Sequence, residues 1–126
     1  MYKVDITHTK DYAFKAQTAG YEFAIDSKGK DGMTPPDVLL ASIGSCLGVY
    51  IRKYSEGTHL DLSEFKITVE GEFAKDPYSF KVINVSIDLK GEKLDERRSK
   101  ALLEFIKNCP VHNTLKGNPE VEIKLI

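Results

Sequence analysis

The sequence predicts an α+β protein, and three observations support this class. Short stretches in which apolar and polar residues alternate, as in half-buried strands, occur near both ends and in the middle of the chain. One long uncharged segment and one amphipathic segment have the character of helices. The strands are grouped and the helices are few, so the predicted order β-β-β-α-β-β-α-β indicates antiparallel sheets packed with helices.

The central predicted helix covers residues 35–54, PPDVLLASIGSCLGVYIRKY, and the other elements are expected to pack around it. No charged side chain occurs between Val38 and Ile51, while two prolines and Asp37 suit a helix start. A helix that is apolar on every face is normally buried on all sides. A domain this small has one sheet to cover it, so we expect a second copy of the chain to cover the far side, in a homodimer.

Cys46 lies inside this helix among small residues, namely Ser42, Gly44, Ser45 and Gly48. Each interior glycine costs about 1 kcal/mol relative to alanine. The missing bulk around a thiol indicates that either a second helix or a substrate approaches the helix backbone closely. The alternative is that Cys46 is a packed core cysteine, since buried free cysteines often act as small apolar residues.

The remaining elements follow from the same patterns. Strands are expected over residues 2–6, 12–16, 21–25, 65–73, 82–89 and 121–125, where apolar residues alternate with polar ones. A second, amphipathic helix is expected over residues 94–108, and a short helical turn beginning at Pro110. The second helix ends at the Asn-Cys-Pro sequence that precedes this turn.

Composition limits the possible partners. A chain of 126 residues suits a single domain, residues 1–126, with a buried core. The net charge of −1 gives no reason to expect nucleic acid or an anionic membrane as partner. The N-terminus lacks an apolar signal core, and the uncharged run is shorter than the roughly 20 residues that span a bilayer, so we expect a cytoplasmic protein. No zinc-ligand spacing is present, and we expect no metal and no cofactor.

Cys109 lies at the start of the turn that begins at Pro110. Free amides at a helix N-terminus stabilise a thiolate, and His112, one turn further on, is placed to form an ion pair with it. In a reducing compartment a structural disulfide is not expected. Cys109 is therefore either a nucleophile in its own right or a resolving partner to Cys46. The alternative is a buried loop cysteine beside a capping histidine.

Two motifs in this order, TPPDVLLASIGSC at residues 34–46 and NCPVHNTL at residues 108–115, resemble the OsmC/Ohr family. The likeness covers essentially the whole chain. It implies an OsmC-like fold, α+β with antiparallel sheets and a long buried central helix, in an intertwined homodimer with its sites at the subunit interface. It also implies reduction of organic hydroperoxides, with Cys46 as the peroxidatic cysteine, Cys109 as the resolving cysteine and an external dithiol as reductant.

The resemblance also bears on the residues around the thiols. The peroxidase branches of the family hold the thiolate with an arginine from the N-terminal strands, but here no arginine precedes Arg52. Pro36 stands in the place of the glutamate that orients this arginine, and the adjacent Asp37 is the candidate supporting carboxylate, together with His112. The pocket for a small apolar hydroperoxide would be lined by three apolar residues of the central helix: Leu39, Ile43 and Tyr50.

Two other classes of protein share these features. A non-catalytic OsmC-like protein would bind a small apolar ligand in the interface pocket, with the thiols incidental. A purely structural dimer would use the apolar helix for assembly alone.

Overall fold

The computed structural model describes residues 1–126 and contains five strands and three helices. In chain order these are β1 (Asp5–Lys10), β2 (Ala13–Thr18), β3 (Tyr21–Asp26), α1 (Pro35–Thr58), β4 (Lys66–Ala74), β5 (Ser79–Asp88), α2 (Glu96–Ile106) and α3 (Pro110–Gly117). One antiparallel sheet has the order β1-β2-β3 and the other pairs β4 with β5, which confirms the α+β prediction. The chain divides into two compact units, Met1–Ala41 and Ser42–Ile126, and the single domain over residues 1–126 stays a prediction.

The sheet of the first unit has one apolar face. Ala16 of β2 pairs with Ile6 of β1 and with Phe23 of β3, so these side chains form one row across the sheet. Because successive side chains of a strand point to opposite faces, Lys15 and Glu22 lie on the other face, where they form an ion pair at 3.8 Å. Ala16 is buried, but Ile6 and Phe23 are 56% and 52% exposed. The apolar face is therefore largely uncovered in the single chain.

The loop between β3 and α1 is organised by a buried aspartate. The carboxylate of Asp26 accepts hydrogen bonds from the backbone amides of Lys28 at 2.9 Å and Asp31 at 3.0 Å, and these bonds hold its pKa below the usual value. Gly32 lies against the backbone of Ala24 in β3, where a Cβ atom would overlap the carbonyl oxygen. Glycine is therefore required at this position of the loop.

Helix α1 continues beyond the predicted end at residue 54 and stops at Thr58. Its buried residues recur every four positions and so form one stripe: Ile43, Leu47, Ile51 and Ser55. Val49 is 51% exposed, so the single chain does not bury the helix on all sides. Arg52 lies before the last turn, and its guanidinium donates to the carbonyl of Leu62 at 3.1 Å. No helix of the chain is both long and apolar enough to cross a membrane.

The glycines of α1 allow β4 to pack closely against the helix. A Cβ atom added at Gly44 would lie 3.0 Å from Cγ2 of Val69, and one at Gly48 would lie 3.5 Å from Cδ1 of Ile67. The element that approaches the helix at these glycines is therefore a strand of the same chain. The prediction of a second helix or a substrate at these positions was wrong.

The predicted C-terminal strand is not formed. Helix α3 ends at Gly117, and residues 118–126 have no regular secondary structure. The apolar side chains of Val121, Ile123 and Leu125 are 75%, 93% and 102% exposed. Alternation favours a strand, but a strand also needs a neighbour for its backbone hydrogen bonds, and no strand of this chain pairs with the segment.

We predict that Gly32→Ala lowers the free energy of unfolding by about 1–3 kcal/mol, because the added methyl group forces the loop away from β3. The matched control is Gly48→Ala, where the methyl group makes ordinary contacts and a helix-interior glycine is removed. For the control we expect no loss and up to about 1 kcal/mol of gain. Urea unfolding followed by circular dichroism measures both changes. Equal stabilities of Gly32→Ala and wild type would contradict this packing.

Candidate functional site

Cys46 lies in the middle of α1, beside the buried stripe of that helix. It follows the buried Ile43 by three residues and precedes the buried Leu47, and it is itself only partly buried. The packing of α1 against β4 fixes the helix at this level. The thiol is therefore held by a rigid element and remains partly accessible, which a nucleophile requires.

Cys109 is fully buried at the start of α3. Pro110 follows it, and since the residue before a proline avoids the helical region, Cys109 is extended with φ −54° and ψ 124°. This conformation makes Cys109 the N-cap residue of α3. Its sulfur accepts a hydrogen bond from the backbone N–H of His112 at 3.4 Å.

The structure brings the two thiols together, although 63 positions separate them in the sequence. Both cysteines are free, and the side chain of Cys46 lies close enough to that of Cys109 to raise its pKa. Cys46 is partly exposed, whereas Cys109 has no exposed surface. Two neighbouring free thiols have the chemistry of a dithiol that can be oxidised to a disulfide.

Burial raises the pKa of the Cys109 thiol, because a thiolate is poorly solvated in the protein interior. The neighbouring side chain of Cys46 raises this pKa further, while the backbone amides of His112 and Val111 act in the opposite direction. No cationic side chain is among these leading influences. Cys109 therefore keeps its proton above the pH at which an ordinary cysteine loses it.

His112 contacts Cys109 through its backbone, not through its imidazole. The ring nitrogen Nδ1 is buried and has no hydrogen-bond partner in the chain. A buried polar group without a partner costs about 1–3 kcal/mol. The ring therefore leaves one hydrogen-bonding position open beside the turn that carries Cys109.

Asp37 has the hydrogen bonds of a helix cap. Its carboxylate accepts from the hydroxyl of Thr34 at 2.7 Å, and its backbone N–H donates to the same hydroxyl at 3.3 Å. The side chain is exposed and belongs to the first unit, whereas both thiols belong to the second. These contacts give Asp37 a structural role, which is to stabilise the start of the helix.

The three apolar residues expected to line a pocket differ in exposure. Ile43 is 3% exposed and part of the core, while Leu39 is 38% exposed. Tyr50 is partly buried, and its ring lies 6.0 Å from that of Phe105 on α2. Phe105 also lies 5.6 Å from the ring of Tyr54. This aromatic cluster of Tyr50, Tyr54 and Phe105 was not predicted from the sequence, although two aromatic residues one helical turn apart on α1 were a signal for it.

No group of three or more histidine, cysteine, aspartate or glutamate side chains is positioned to hold a metal ion. The ion pairs lie at exposed side chains, such as Lys10–Asp31 and Lys107–Glu104. The candidate site therefore consists of the two thiols, the N-terminus of α3 and the neighbouring His112.

We predict that iodoacetamide modifies Cys46 at least about tenfold faster than Cys109 in the folded protein, because only Cys46 is accessible and Cys109 keeps its proton. Peptide mapping by mass spectrometry after short exposure measures the two rates. In denaturant the two thiols should react at similar rates, which serves as the control. Faster modification of Cys109 in the folded state would contradict the geometry.

We also predict a pH dependence of stability. The raised pKa of Cys109 means that the folded chain retains a proton that the unfolded chain loses above about pH 8.5, so the free energy of unfolding falls as pH rises beyond that value. Cys109→Ser removes this titration. Between about pH 7.5 and about pH 9.5, urea unfolding under reducing conditions should show a smaller decrease for Cys109→Ser than for wild type. Equal decreases would contradict the raised pKa.

Comparisons with known proteins agree with this arrangement of elements. The chain is 23% identical over 133 residues to a protein of Mycoplasma genitalium named hydroperoxide reductase, covering 98% of this chain and 94% of that protein. Its fold is similar to the crystal structure of an OsmC-like protein from Mycoplasma pneumoniae, with a TM-score of 0.80, 20% identity and coverage of 93% and 88% of the two chains.

A second solved structure is the organic hydroperoxide resistance protein OhrB of Bacillus subtilis, with a TM-score of 0.61, 18% identity and coverage of 93% of each chain. The family model described as OsmC-like protein matches residues 27–124, which include both cysteines and all three helices. The chain belongs to the OsmC-like protein family.

Proposed function

We propose that this protein is a thiol-dependent peroxidase that reduces organic hydroperoxides, with Cys46 as the attacking and Cys109 as the resolving cysteine. The observation that carries the proposal is that Cys46, partly exposed on α1, lies close enough to the buried Cys109 at the N-terminus of α3 to raise its pKa. Membership of a family that includes hydroperoxide resistance proteins supports it. The similarity to a hydroperoxide reductase supports the same reaction.

The reaction requires three steps. The Cys46 thiolate attacks the distal oxygen of the hydroperoxide, the O–O bond breaks, and the products are a Cys46 sulfenic acid and an alkoxide that is protonated to an alcohol. The Cys109 thiolate then attacks the sulfenic sulfur and displaces hydroxide, which forms a disulfide between the two residues. An external dithiol reduces this disulfide by exchange and is itself oxidised.

The active form in this proposal is a homodimer. Proteins of the family are typically dimers. In the single chain, apolar residues remain exposed on the central helix and on the N-terminal sheet, for example Val49, Ile6 and Phe23. Burying such residues against a second copy stabilises an assembly by about 25 cal/mol per Å² of apolar surface. The dimer would also supply an apolar wall near Cys46, which favours a fatty or aromatic hydroperoxide as substrate.

A second candidate function is binding of a small apolar ligand without chemistry. The observation that favours it is the aromatic cluster of Tyr50, Tyr54 and Phe105, an apolar group of side chains that does not involve the thiols. The two functions differ in their dependence on sulfur. Ligand retention in a binding protein would survive Cys46→Ala, whereas peroxide reduction would not.

We predict that the wild-type protein consumes cumene hydroperoxide with dithiothreitol as reductant, and that Cys46→Ser lowers the rate by at least about 100-fold because the nucleophile is lost. Cys109→Ser is the matched control. It retains Cys46, so it should release about one equivalent of alcohol per chain in a first turnover without the external reductant. No consumption by the wild type, or equal rates for wild type and Cys46→Ser, would contradict the proposed reaction.

A further inference from the structure

Lys53 lies on the same side of α1 as Cys46. It follows Cys46 by seven positions, and at about 100° per residue the helix then returns to within about 20° of the same direction, after a rise of about 10 Å. Tyr50 lies between them, one helical turn after Cys46, a spacing at which Cβ atoms are about 5–6 Å apart. A thiol, an aromatic ring and an ammonium group therefore form one row along the helix, the Cys46–Lys53 row.

The ammonium of Lys53 is held over the middle of this row. Its Nζ atom lies 4.6 Å from the centroid of the Tyr50 ring, and that ring in turn lies 6.0 Å from the ring of Phe105 on α2. Side chains of a helix lean toward its N-terminus, so the ring of Tyr50 covers helix surface on the side of Cys46. The positive charge is therefore placed on the part of the row that leads to the thiol.

No carboxylate of the chain neutralises Lys53. Its ammonium forms neither an ion pair nor a hydrogen bond, and its contact is the ring of Tyr50. The adjacent Arg52, in contrast, pairs with Glu56 at 3.9 Å. Lys53 is exposed, while Cys46 and Tyr50 are partly buried. The row thus runs from a partly buried thiol to an accessible cation without an anionic partner.

We propose that Lys53 binds the carboxylate of an anionic organic hydroperoxide whose peroxide group reacts at Cys46. The inference rests on the proposed peroxidase function and adds a preference for one class of substrate. The apolar chain between the two groups of such a substrate lies against the ring of Tyr50, over the roughly 10 Å that the row spans. In the proposed dimer the second copy forms the opposite wall.

The ring of Tyr50 prepares Lys53 for this task. A free lysine side chain has many rotamers, and ordering it on binding costs free energy. A cation over an aromatic face is attracted by the ring, so the ammonium is already directed along the row before a substrate arrives. A neutral hydroperoxide gains nothing from this charge, which is why the row distinguishes anionic from neutral substrates.

The experiment compares linoleic acid hydroperoxide with its methyl ester, which differ in charge but hardly in shape. For wild type we expect the ratio of kcat/KM for the acid to kcat/KM for the ester to exceed that of Lys53→Gln by about fivefold, mainly through KM for the acid. Lys53→Arg keeps the charge and should retain the ratio of wild type. The preference of wild type for the acid should fall with added KCl, because salt screens an exposed cation.

The matched control is Lys100→Gln, which removes the same charge from α2. Lys100 is exposed and lies two positions before the buried Leu102, on the opposite face of that helix. Its ratio of acid to ester should equal that of wild type. Equal ratios for wild type and Lys53→Gln would overturn the proposal, and so would a loss in Lys53→Arg or Lys100→Gln as large as in Lys53→Gln.

A second measurement is independent of peroxide reduction. Octanoate should slow the modification of Cys46 by iodoacetamide in wild type more than octanol does, and Lys53→Gln should lose this difference. Protection by octanoate in a protein that consumes no hydroperoxide would contradict the peroxidase function and leave the carboxylate site standing. Equal protection by octanoate in wild type and Lys53→Gln would overturn the carboxylate site, whatever the peroxidase activity.

Discussion

The closeness of Cys46 and Cys109 is the feature on which the proposed chemistry depends. It brings the middle of α1 beside the residue that precedes α3, and each cysteine is held by a different physical constraint. Cys46 is positioned by the packing of its helix, while Cys109 is positioned by a proline-terminated turn and a backbone hydrogen bond. The two residues differ in burial, since Cys46 is partly exposed and Cys109 has no exposed surface, and the proposed roles of attacking and resolving cysteine follow this difference.

Small residues on α1 allow close packing against the helix that carries Cys46. Gly44 and Gly48 allow Val69 and Ile67 of β4 to approach the helix, so the helix is fixed against its own sheet close to Cys46. Each glycine lowers the helix propensity of α1, and close packing of β4 offsets that cost. The same helix exposes Val49, and β1 and β3 expose Ile6 and Phe23, so the single chain retains apolar surface that a second copy would cover in the proposed dimer.

Periodicity predicted the elements well, because alternation and helical spacing report which side chains face the core. The class, the three N-terminal strands, the β4–β5 hairpin and both long helices follow from it. It failed for residues 118–126, where the alternation of Val121 and Ile123 is real but a partner strand is absent from the same chain. It also failed to identify β4 as the element facing Gly44, because contacts between distant segments leave no local signal. The proximity of Cys46 and Cys109 was predicted from the motif resemblance. A separation of 63 residues in the sequence does not show how far apart two side chains lie in the fold.

The formation of a disulfide within one chain tests the central claim most directly. The reduced protein is treated with one equivalent of cumene hydroperoxide, quenched with an alkylating reagent, digested and analysed by mass spectrometry under non-reducing conditions. The account predicts a peptide pair joined through Cys46 and Cys109 of the same chain, with little alkylation of either residue. Recovery of Cys109 as a free thiol beside a stably oxidised Cys46, or of disulfides between chains only, would contradict it.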